Sequence, residues 1–62
     1  MLEKMISEIN KEIERTKEYY ERNGWDNGHE KNLARINGMI KMLEIATGKS
    51  YTFDENGLTE AK

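Results

Sequence analysis

Cysteine and proline are both absent from these 62 residues, histidine and tryptophan occur once each, and no run of 18 residues is free of charge. Without cysteine there is no disulfide, zinc ribbon, redox dithiol or thiol nucleophile, and the chain suits a reducing compartment. The cytoplasm is the expected location, a host's cytoplasm if the chain is phage-encoded. With His29 as the single histidine, no structural metal site is expected. The missing apolar run removes a membrane span. The opening Met1-Leu2-Glu3-Lys4-Met5-Ile6-Ser7-Glu8 places charges where a signal peptide needs its apolar core. The chain is therefore expected to be neither secreted nor membrane-spanning.

Catalytic patterns are also missing. No Ser is partnered to a base, no glycine-rich loop is followed by a phosphate-binding Lys, and there is no second His. An enzyme and a cofactor are not expected. His29 lies near Asp26 and Glu30, but that spacing matches no metal-ligand pattern, and His29 reads as a solvated residue in the first turn of a helix. Asp26-Asn27-Gly28 and Asp54-Glu55-Asn56-Gly57 lack the alternating oxygen ligands and closing Glu of a calcium loop. They read as turns.

What the chain does have is charge, 35% of its residues, split into 10 basic and 12 acidic for a formal net charge of -2. Duplex nucleic acid is not an expected partner, because neutralising phosphates requires a basic excess. A chain of this length buries only about 60% of the surface that its unfolded form exposes. Small chains offset that deficit with disulfides, a metal or a partner subunit. Only the partner subunit remains open here.

Residues 2 to 22 contain neither Gly nor Pro, and Leu2, Ile6, Ile9 and Ile13, continued by Thr16 and Tyr20, follow the three-and-four spacing of a heptad stripe. The other side carries Glu8, Lys11, Glu12, Glu14, Arg15, Glu18 and Arg22, a solvated face in which Glu18 and Arg22 stand in the favourable i,i+4 order. Asn23-Gly24 is a helix stop. Asn27 with Glu30 has the form of a capping box, and Asp26 is an alternative cap. A second helix is expected from about 27 to 47, closed by Gly48, with the stripe Leu33, Ile36, Ile40 and Leu43. A tip this short makes the two helices antiparallel neighbours.

Met39, Met42, Ile45 and Ala46 give the second helix a further apolar surface, more than one partner helix can cover. Ala34 and Gly38 lie four apart on it, and Gly38 costs about 1 kcal/mol in a helix interior relative to Ala, so close packing is expected to offset it. Ala34, Gly38, Met39, Met42 and Ile45 are thus the expected contacts between copies of the chain. Beyond Gly48, Tyr51-Thr52-Phe53 reads as a short strand, and Asn56-Gly57 before Leu58-Thr59 is a hairpin signal. Either Tyr51 or Phe53 is expected to pack on the helices, and Glu60-Ala61-Lys62 to be disordered. The expectation is an all-α chain: an antiparallel helical hairpin over 1–48, a β-like tail over 49–62, and assembly into a homo-oligomeric helix bundle.

The residues singled out for binding are aromatic and cationic: Tyr19, Tyr20, Arg22 and Trp25 at the tip, with Arg35, Tyr51 and Phe53 brought near by neighbouring subunits. Aromatic faces stack on bases and Arg forks clasp phosphates; Trp, Tyr and Arg also dominate protein interfaces. Structurally, Trp25 would cover the hairpin end and Tyr20 would finish the core stripe. The composition resembles that of small phage and mobile-element accessory proteins. Three functions follow in order of expectation: a non-enzymatic protein that docks on and inhibits or modulates a larger protein; an oligomeric sponge for a nucleotide-like anion at subunit junctions; and a structural assembly subunit.

Overall fold

The computed structural model describes residues 2–61, which form α1 (Leu2–Asn23), α2 (Asn27–Thr47), β1 (Ser50–Asp54) and β2 (Gly57–Ala61). Both helices fall where the apolar spacing places them. Gly24, at φ 72°, donates its N–H to Tyr20 O at 2.8 Å and closes α1. Gly48, also at φ 72°, closes α2 by donating to Glu44 O at 2.8 Å. Both take the left-handed conformation that favours glycine. The start of α2 differs from the Asn27–Glu30 capping box: Asp26 is the cap, extended at φ -140°, its Oδ1 accepting from His29 N–H at 2.9 Å. Glu30 instead accepts from Trp25 Nε1 at 3.3 Å.

Ile9 and Ile13 of α1 meet Ile36, Ile40 and Leu43 of α2 in the buried core. Thr16 is buried with them because its hydroxyl donates to Glu12 O one turn back, at 2.7 Å. Glu12 also holds Arg15 at 2.8 Å and Arg35 at 3.3 Å, the second pair spanning the two helices. Glu18 and Arg22 do not form an ion pair among the described residues.

The tail is a second layer on the helical hairpin. Strands β1 and β2 pair antiparallel, Thr52 opposite Thr59 and Phe53 opposite Leu58. Side chains alternate across a strand, so Tyr51 and Phe53 face the core while Ser50, Thr52 and Asp54 face out. A helix side chain anchors each strand: Glu44 Oε2 accepts from Tyr51 N–H and Asn10 Oδ1 from Leu58 N–H, both at 2.9 Å. These bonds satisfy amides that an unpaired sheet edge would expose. In the turn, Asp54 Oδ1 accepts from Asn56 N–H at 2.8 Å, and Gly57 takes φ 125°. Glu60 and Ala61 belong to β2, in place of the expected disorder, and Lys62 lies outside the described residues. A two-stranded hairpin is marginal alone; this one persists by lying on the helices.

The surplus apolar surface of α2 stays open in the single chain, with Met42 62% and Ile45 73% exposed. Among the described residues, no helix is long and apolar enough to cross a membrane.

Candidate functional site

The link from Gly24 to Asp26 turns the chain between the helices and carries Trp25, 64% exposed, over the first turn of α2. Beneath it lies His29. The solvated role expected for this residue is corrected: His29 is 6% exposed. The cause is helical phase, because His29, Leu33, Ile36, Ile40 and Leu43 form one row at three-and-four spacing, and the row's first member is buried with Ile36, Ile40 and Leu43 while Leu33 is half-buried.

Three rings contact one another at this point. The His29 ring centroid is 4.6 Å from Trp25 and 4.9 Å from Tyr20, and Tyr20 and Trp25 meet edge to face at 6.4 Å. Such pairs add about 0.5–1.5 kcal/mol beyond burial. His29 Nδ1 is buried with no hydrogen-bond partner among the described residues.

The rings border an open groove of about 220 Å³, mostly apolar, that runs between the tip and the end of β1. Ile13, Thr16, Leu33 and Ile36 line it together with Tyr20, Trp25, His29 and Phe53; Lys17, Asp54 and Glu55 supply its charges. Tyr20 is 48% exposed, so it borders the groove instead of finishing the core stripe. Phe53 reaches the tip within the same chain, because β1 lies back along the helices.

The other singled-out residues lie apart from this groove. Tyr19 donates its hydroxyl to Asp26 Oδ2 at 2.9 Å. That bond, together with partial burial and the Asp26 charge, raises the Tyr19 phenol above its ordinary value of 10.0. The Asp26 carboxyl is held below 3.8, chiefly by the His29 backbone N–H, with the Tyr19 hydroxyl and Gly28 N–H adding and desolvation opposing. Arg22 is exposed and Arg35 is paired with Glu12; neither lines the groove. Tyr51 packs against the core.

The expected intersubunit residues divide into two sets. Met39 and Met42 border a second apolar groove of about 370 Å³ with Met5 and Ile9. Ala34, Gly38 and Ile45 are exposed on the side of α2 turned from α1, and a Cβ added at Gly38 meets nothing within 4 Å. The residues that sequence reasoning missed are Asn10, for which no periodic signal exists, and the buried His29, which the heptad row does mark. No protein-family model matches this chain, and comparison with curated proteins and with solved structures gives no match.

Proposed function

We propose that this chain is a small non-enzymatic binding protein that docks on a larger protein through the aromatic groove at its helical tip. The observation that carries this reading is the pair Tyr20 and Trp25, 48% and 64% exposed yet fixed against the buried His29 at the mouth of an apolar groove. Aromatic side chains held in place before binding lose little conformational freedom on contact, and they are the usual anchors of protein interfaces. A volume of about 220 Å³ is below the roughly 300 Å³ at which ligand pockets begin, and it suits one inserted side chain. The alternative, a nucleotide-like anion, is less well supported. Asp54 and Glu55 oppose Lys17 at the groove, and Arg22 and Arg35 do not line it.

Self-association belongs to the same proposal. Gly38, with open space around it, and the exposed Ala34, Met42 and Ile45 give α2 an outer face on which a second helix can approach closely. That face and the tip groove share no residue, so an assembled form would keep the groove free.

The experiment is a displayed-peptide selection on the wild-type chain, counter-selected on Trp25→Ala. Binders specific to the wild type, whose contacts map by amide chemical shifts onto Tyr20, Trp25, His29 and Phe53, are the expected result. Selected peptides that bind both chains equally would overturn the reading.

A further inference from the structure

A polar trough of about 520 Å³ adjoins the aromatic groove between α1 and the turn of the β-hairpin, and Ile13, Lys17 and Glu55 border both concavities. Glu14, Glu18 and Glu21 wall the trough from α1, their four-and-three spacing setting them on one helix face. Glu55 faces them from the turn, and Asp54 adds a further carboxylate at the aromatic end. Among the described residues, Lys17 is the one Lys or Arg lining either concavity.

None of these five carboxylates is in an ion pair among the described residues; Asp54 accepts a hydrogen bond from Asn56 N–H within the turn, and Glu8, Glu12 and Glu60 are paired with Lys11, with Arg15 and Arg35, and with Lys49. Like charges three and four residues apart on a helix repel. The described residues around the two concavities therefore carry an excess of negative charge beside the exposed Tyr20 and Trp25, in a chain whose net charge is only -2, with Lys11 and Arg15 bordering Glu14 and Glu18 on their other side. Such a field repels anions, attracts cations and draws oppositely charged partners to the site. The faces of Tyr20 and Trp25 favour cations as well.

We propose that the docking segment of the partner protein is basic: an apolar or aromatic side chain enters the groove between Tyr20, Trp25 and Phe53, and neighbouring Lys or Arg residues lie in the trough against Glu14, Glu18, Glu21 and Glu55. This inference rests on the docking reading above and adds the chemistry of the partner.

Trp25 is the only tryptophan, so its emission reports occupancy of the groove directly. The probes are three short peptides with the same central Phe, flanked by Lys and Arg, by Ser and Gln, or by Glu and Asp, together with spermine as a cation lacking an anchor. The basic peptide is expected to blue-shift Trp25 emission and to bind about tenfold or more tighter than the neutral one at low salt, the advantage shrinking as salt rises. Combining Glu14→Gln, Glu18→Gln and Glu21→Gln, all on exposed positions, should narrow that gap to under about threefold, with helicity checked by circular dichroism. Neutral or acidic peptides binding as tightly as the basic one would overturn the charge inference and leave the docking reading standing. Spermine binding as tightly as the basic peptide would overturn the two-part segment. No movement of Trp25 emission or of the groove amides with any peptide would overturn the docking reading and this inference together.

Discussion

Tyr19, Asp26 and Gly28 interlock where α2 begins. Asp26 caps the helix while accepting the Tyr19 hydroxyl, and the phenol lies over the bare Cα of Gly28, where an added Cβ would collide with the hydroxyl and come within 2.8 Å of the ring carbon bearing it. Gly28→Ala would ordinarily gain up to about 1 kcal/mol in a helix. Here it must displace Tyr19, and a lower thermal midpoint than wild type is expected by circular dichroism. The pH dependence follows from the two titrating groups. The folded-state value of Asp26 is depressed, so its contribution is present above 3.8 and is lost as pH falls through the lowered value. That of Tyr19 is raised, so its contribution is present below 10.0 and is lost as pH rises through the raised value. Asp26→Asn keeps a capping side chain without the charge. It should flatten the acid limb of a stability–pH profile and return the Tyr19 titration, followed by the ¹³Cζ resonance, toward 10.0.

Among the elements, the β-hairpin depends most on its neighbours. Five residues per strand and one partner strand do not hold a sheet in water, and two side-chain acceptors, Asn10 on α1 and Glu44 on α2, fix it from either side. Asn10→Ala removes the acceptor of Leu58 N–H and should cost about 0.5–1.5 kcal/mol. Faster amide exchange at Leu58 and along β2, with the α2 core amides unchanged, is the expected signature; equal loss of protection throughout would show the hairpin and helices to open as one unit. The helices are legible from sequence because their period is written in apolar residues and their ends in Gly24, Gly48 and Asp26. The hairpin's seat is not, because Asn10 and Glu44 are polar residues on helices rich in polar residues. Only the return of the chain 48 positions later gives Asn10 its role.

At the scale of the whole molecule, the small core leaves Met42 and Ile45 in water, and among the described residues Gly38 has no neighbour that requires its lack of a side chain. Under the proposed self-association, sedimentation equilibrium at micromolar concentration should give a dimer or larger species. Gly38→Leu should shift it to monomer without loss of helicity, since a Cβ added there meets no described residue within 4 Å. A folded wild-type monomer would rule the assembly out. The sequence by itself determined the two helices, their antiparallel pairing, the glycine stops and the hairpin turn, because each depends on residues within a few positions of one another; between Asn27 and Asp26 as the cap of α2, the structure has Asp26. The sequence also carried the burial of His29 in its heptad row. Tertiary structure alone decided which aromatic and charged residues share a surface. Tyr20 and Trp25 were joined by Phe53 and separated from Arg22, Arg35 and Tyr51, and Glu55 was set against Glu14, Glu18 and Glu21. Those proximities follow from the direction in which the tail folds back, a choice made by the summed packing of Tyr51, Phe53 and Leu58 against both helices.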